Sequence, residues 1–234
     1  MNSSRLFAHP FIGIALGIVL TVISYALALR LHRRLRSAIP ILVACVPIVA
    51  VLSLFRIPYS EYNRGGSFLT WWLGPATVAL AVPMYRNGLV LRAMLPKLSL
   101  TVAVGAVVGM VTAAGSAWLM GAPLAVVMSA APKSVTTPIA IEVCRQLGGI
   151  PQITIAMVIL SGVLGATFGR YLLHLIGVKN ETAIGAAIGT SSHGIGTASL
   201  VRHSDMQAAA SSWAMAAAGV FTSVLASLLA LTMR

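Results

Sequence analysis

Acidic side chains are almost missing from this chain: Glu61, Glu142, Glu181 and Asp205 stand against 16 lysines and arginines in 234 residues. Four scattered carboxylates give no convincing triad spacing and no G-x-S-x-G elbow occurs, so the adjacent Ser192 and His193 make a weak hydrolase. No catalytic residue is assigned, and the chain is not expected to be an enzyme. Cysteine is nearly absent as well. Cys45 and Cys144 lie far apart in apolar sequence, which argues against a disulfide framework and a zinc motif, and no metal site is assigned. Without a Walker loop, haem motif or flavin fingerprint, no cofactor is expected and ATP-driven transport by this chain alone is not. Charge of either sign is scarce, at 9% of residues, where a soluble domain carries about 25%. The formal net charge of +12 comes from basic residues set between apolar runs rather than along one face. That placement orients a chain in a membrane and does not read as a nucleic-acid surface.

What the chain has is hydrocarbon: 58% of it is hydrophobic and its mean hydropathy is +0.93. The expected fold is an all-α polytopic membrane protein of about six to eight transmembrane elements, two or three of them broken by Gly and Pro or re-entrant. The first span, 10–29, is followed by RLHRRLR, the reverse of a cleavable signal's charge order, and is read as retained. Arg30, Arg33, Arg34 and Arg36 place that loop in the cytoplasm and the N-terminus outside. A second span at 39–55 leads to an external loop, RIPYSEYNRGG, with Trp71 and Trp72 as headgroup anchors. A third, 68–85, carries helix breaks at Gly74, Pro75 and Pro83. RNGLVLRAMLPK reads as an interfacial linker before a fourth span at 98–120. Later spans are expected at 150–175 and 206–231, the last rich in alanine and serine and so suited to helix contact. Gly pairs at four-residue spacing (13 and 17, 105 and 109, 165 and 169, 185 and 189) read as close-packing faces.

Two stretches do not fit a plain span. APKSVTTPIAIE, 131–142, follows an apolar run too short to cross a bilayer, and Pro132 and Pro138 each remove a backbone donor. It is either a re-entrant hairpin or a discontinuous helix, with charge placement leaning towards re-entry. Lys133, Ser134, Thr136 and Thr137 put a cation and hydroxyls beside free backbone N–H groups, a set that suits a carboxylate or phosphate. The plainer alternative is a lysine that snorkels to the interface. The second stretch, TAIGAAIGTSSHGIGTASL, has a polar centre of Ser191, Ser192 and His193 flanked by Gly194 and Gly196, with Thr197 beyond. It offers a second polar wall, or in His193 a proton acceptor for coupled transport; a structural histidine between helices is the alternative. Glu142 is a second coupling candidate, or else an ion pair with Lys133 or Arg145 at the membrane edge. A shift of 60 residues lays Lys133 on His193 and Thr137 on Thr197. The resulting repeat units, about 122–176 and 182–234, match the transporter pattern of paired interrupted segments.

The segments LGPATVALAVPMYRN, SAAPKSVTTPIAIEV and AIGTSSHGIGTASLVRHSDMQAAASSWAM resemble the signature blocks of the LrgB/CidB family of bacterial membrane proteins, from about residue 7 to 231. Two departures are Arg202, His203, Ser204 and Asp205 where an acidic pair is common, and a linker at 86–97 poorer in lysine. The resemblance implies a single LrgB-like domain over 1–234 in the bacterial inner membrane. It implies an antiholin-like autolysis modulator linked to murein hydrolase export, with a small holin-like partner of the LrgA/CidA type. It also implies carriage of small monocarboxylates, because similar domains occur in a plastid glycolate/glycerate carrier and bacterial members are connected with pyruvate uptake. The expected partners are the lipid bilayer, a small carboxylate anion, the holin-like protein and a second copy of the chain. On the carrier reading, Lys133, Ser134, Thr136, Thr137, Ser191, Ser192, His193 and Thr197 form the substrate site. On the rival reading, a non-transporting regulator, a partner would dock on exposed small-residue faces such as Gly105 and Gly109.

Overall fold

The structure, a computed structural model, describes residues 10–35 and 40–232; Arg36, residue 39 and the chain ends named above lie outside the described residues. The described chain is helical throughout and forms two compact units, 1–77 and 78–234.

In the first unit α1 (Pro10–Arg34) packs against α2 (Pro40–Leu54) and α3 (Tyr59–Trp71). A Cβ at Gly17 would lie 2.8 Å from Gly65 Cα, so α1 and α3 cross only because both positions lack side chains. A hydrogen bond of 2.9 Å between Thr21 Oγ1 and Tyr62 Oη seals the crossing. The loop expected over 56–66 is therefore corrected: helix begins one residue after Pro58, and Gly65 serves a helix contact rather than a turn.

Two short helices follow, α4 (Leu73–Ala79) and α5 (Ala81–Arg86). Helical hydrogen bonding lapses at Trp72 and Leu80, three residues ahead of Pro75 and Pro83, though both residues keep right-handed helical φ/ψ and Tyr59–Arg86 remains one helical stretch. Gly74, Pro75 and Pro83 thus lie inside short helices, just after the breaks.

In the second unit α6 (Gly88–Leu119) is 32 residues long. It corrects the interfacial linker expected over 86–97. Leu91 and Leu98 are buried on the face that meets the final helix, and this packing carries the helix through Pro96. Next come α7 (Leu124–Ala130), α8 (Thr137–Gln146) and α9 (Pro151–Leu164), the last running through a π-turn (Gly165–Gly169) into α10 (Arg170–Leu175). The unit closes with α11 (Glu181–Leu200) and α12 (Asp205–Thr232). Ala208, Ala209, Ala210 and Ala214 are fully buried, and α11 lies so close to α12 that a Cβ at Gly189 would meet Ser211 Cα at 2.8 Å.

Among the described residues five stretches are long and apolar enough to cross a membrane: Phe11–Arg34, Tyr59–Arg86, Gly88–Leu119, Pro151–Leu175 and Asp205–Thr232. Pro40–Leu54 is a shorter apolar helix. The leucine, valine and phenylalanine side chains left on the outside find their solvent in lipid. The protein is an all-α polytopic membrane protein.

Candidate functional site

The first unusual stretch forms a hairpin. α7 stops at Ala130, the chain turns through 131–136, and α8 starts at Thr137 with Pro138 in its first turn, where a missing N–H costs nothing. α8 ends at Gln146, and Gly148 just beyond it turns the chain with a φ of +74° that is open to glycine without strain. The chain then arrives back where it left. The Ile150 amide donates to Ser129 Oγ at 2.7 Å, and Thr154 Oγ1 donates to the Ser129 carbonyl at 2.9 Å. A Cβ at Gly149 would sit 2.7 Å from Cys144 Sγ, so the base of the hairpin has no spare room.

The second stretch is also a hairpin, hidden inside α11. His193 has φ +41° and ψ −139°, where a side chain costs about 1–3 kcal/mol. Were α11 continued straight, residues 181 and 204 would stand roughly 35 Å apart. Instead Ser204 Oγ donates to Glu181 Oε2 at 2.9 Å, and Leu200 packs on Ile184 and Ile188. The chain reverses at His193, in room left by Gly196, where a Cβ would lie 2.6 Å from Ser192 Cβ.

The two hairpins run in opposite directions along α9. Ser129 meets residues 150 and 154, and Lys133 shares a wall with Met157 and Ser161, so the first hairpin enters parallel to α9. Cβ atoms built at Gly169, Gly165 and Gly162 would meet Ile188, Ser192 and His193 in turn, so the second enters antiparallel. α6 touches both tips, with Gly105 against Thr190 and Gly109, one turn along, against Ser134. These glycines therefore face the interior of the chain, which corrects the expectation of an exposed partner face there.

Lys133 from the first tip and Ser191 and Ser192 from the second line one cavity of about 740 Å³, together with Ser116 and Ser161. Its remaining wall is mostly apolar, with Met157, Leu160, Leu164 and Phe168 from α9 and the π-turn and with Tyr171 from α10. Lys133 Nζ lies 3.4 Å from Ser134 Oγ. The other residues singled out in the sequence are placed around the cavity rather than on it. Thr136 and Thr137 are half-buried at the start of α8, and Thr136 makes no side-chain cap. His193 is buried and donates through Nε2 to the Val158 carbonyl at 3.0 Å. Thr197 Oγ1 bonds the His193 carbonyl at 2.7 Å and lies 2.8 Å from Ser211 Oγ. Glu142 is exposed and pairs with Arg145 at 2.7 Å. Sequence reasoning missed Ser116 and Ser161, single serines in apolar helices with no local signal. It also missed Ser129 and Thr154, whose work is visible only once the hairpin has closed.

Residues 21–232 match the family model of the LrgB-like family. The protein YwbG of Bacillus subtilis (strain 168) is 37% identical over 214 residues, covering 91% of this chain and 95% of that one. The antiholin-like protein LrgB of Bacillus mycoides (strain KBAB4) is 32% identical over 211 residues, 89% of this chain and 92% of its own. A Haemophilus influenzae protein is 34% identical over 209 residues, 88% and 90% of the two chains. No solved structure matches. The family match takes in both hairpins and the whole cavity wall, and by it the chain belongs to the LrgB-like family.

Proposed function

We propose that this chain is a secondary carrier or facilitator of small monocarboxylate anions, of the pyruvate and glycolate class, in the bacterial inner membrane. One observation carries the reading: Lys133 and the Ser191–Ser192 pair, remote in sequence, line the same cavity at the tips of two opposed hairpins. A lysine at membrane depth costs about 2.5–3.5 kcal/mol on insertion scales, a cost that an anionic ligand would offset. The serine hydroxyls supply donors for the carboxylate oxygens. Opposed interrupted hairpins are the architecture in which one repeat rocks against the other around a fixed site, so the paired units about 122–176 and 182–234 would act as inverted halves. Binding and movement are enough for this activity, and no catalytic residue or cofactor enters it.

The test is uptake of labelled pyruvate and glycolate into liposomes holding the purified chain. Saturable uptake is expected, falling at least tenfold in Lys133→Ala while the melting temperature stays at or above that of the parent. Undiminished uptake in that variant would remove Lys133 from the site. The relatives named antiholin-like favour a second reading, a non-transporting regulator of murein hydrolase export acting with a holin-like membrane partner. On that reading Lys133→Ala leaves partner binding and lysis control intact, and the purified chain moves no carboxylate.

A further inference from the structure

The tip of the second hairpin is seated on α9 by three contacts in sequence order. Ser161 Oγ donates to the Ser191 carbonyl at 2.8 Å. Ser192 occupies the space that a side chain at Gly165 would take, since a Cβ there would overlap Ser192 Oγ. The His193 ring lies in a notch left by Gly162, where a Cβ would come 2.8 Å from Cε1, and its Nε2 donates to the Val158 carbonyl. Positions 158, 161, 162 and 165 follow the i, i+3, i+4, i+7 spacing of a single helix face. α9 and the first residue of the π-turn therefore present a template of one carbonyl, one hydroxyl and two vacant Cβ positions, and the tip fills each of them.

We infer that His193 is a positioning residue, a hydrogen-bond latch that fixes the tip on α9 so that Ser191 and Ser192 face the cavity, and not the group that carries a proton. A carbonyl only accepts, so the bond to Val158 commits Nε2 as a donor, and one N–H is all the latch needs. Burial keeps the ring from water. α9 brings no charged or titratable side chain to it, and the part of α12 against the tip contributes Ser211 and Met215. Lys133 and Tyr171 line the cavity that the neighbouring Ser191 and Ser192 face. Within this unit Glu142 pairs with Arg145 and Glu181 accepts from Ser204, and the bond of the His193 ring goes to a backbone carbonyl. The latch also accounts for the strained φ of His193: the three contacts hold a backbone conformation that the residue would otherwise leave.

The inference rests on the carrier reading for its transport arm alone. Glutamine can place an amide N–H where Nε2 lies, and leucine cannot. His193→Gln should retain at least half of parental uptake with the same pH profile, and His193→Leu should lose at least tenfold. Loss of gradient-driven uptake in His193→Gln with substrate exchange preserved would make His193 the proton carrier and overturn the latch. A second arm needs no transport. In a Cys45→Ala chain, Ser192→Cys reports seating of the tip through its rate of reaction with a polar thiol reagent, with buried Cys144 as internal reference. Adding His193→Leu should raise the rate at least fivefold and His193→Gln should leave it unchanged. Equal rates in all three chains would overturn the latch even if the parent moves no carboxylate, while a rate increase without parental uptake would fault only the carrier reading.

Discussion

The first hairpin tip spreads its turn over 131–136, with Pro132 inside it and Pro138 just after it, whereas the second turns at His193 and contains no proline. In the first, the local sequence already opposes helix: Pro132 and Pro138 each remove a donor, and the chain is extended at Thr136 before α8 begins at Thr137. In the second, nothing but flanking glycine weakens the helix, and the break exists because another element, α9, has a shape that accepts it. A break written into its own residues should survive changes elsewhere. One imposed by docking should collapse when the dock is filled.

The sharpest way to break this comparison is Gly165→Val. A Cβ there overlaps the Ser192 hydroxyl, and the neighbour that must yield is held by the backbone of a strained turn. A loss of about 3 kcal/mol is expected, the upper end for overpacking a close contact. Thermal unfolding of the detergent-purified chain measures it, with Gly115→Ala as control because its added carbon would meet nothing within 4 Å. Parental stability in Gly165→Val would mean that the second tip needs no dock.

Ser129→Ala asks the converse question of the first tip. It takes the acceptor from the Ile150 amide while leaving the Thr154 bond, which uses the Ser129 carbonyl. An N–H left without its partner at this partly buried position costs about 1 kcal/mol, and the Ile150 amide should exchange its hydrogen faster. If neither stability nor exchange changes, local sequence alone makes the first hairpin. If both change, the prolines open the chain and Ser129 closes its base.

The same distinction explains what could be read in advance. Lys133, Pro132 and Pro138 announce the first tip because they are costly in hydrocarbon whatever surrounds them. Ser191 to Gly196 announce a weak helix at the second, but its reversal and the reason for it lie in Gly162 and Gly165, glycines that look like ordinary packing positions until their partner is seen. The two corrected segments fail for a related reason. Gly65, Gly66 and Pro96 are turn signals by local propensity, and burial against α1 in one case and α12 in the other overrides them. Within the cavity the sequence yields the cation and the paired serines, which stand out from apolar neighbours. Ser116 and Ser161 do not stand out, because a lone serine in a long helix usually bonds its own backbone.

A smaller effect bears on whether the second hairpin is tied at its far end as well as at its tip. The turn that follows α11 carries His203, whose amide donates to the Leu200 carbonyl at 2.8 Å, and Ser204, which reaches back to Glu181. Partial burial, and then the charge of Arg170 at the start of α10, hold the His203 imidazole below its ordinary 6.5. A folded chain that takes up this proton less readily than the unfolded chain is favoured while the group is neutral. Stability from this source is therefore level above about pH 6.5 and falls as the pH drops from there towards the lower folded value. His203→Gln should flatten the decline of melting temperature between about pH 7 and 5, by little because the ring is largely exposed. Arg170→Gln should flatten it less, since burial is the larger cause. An unchanged slope in His203→Gln would show that His203 does not couple this turn to Arg170 of α10.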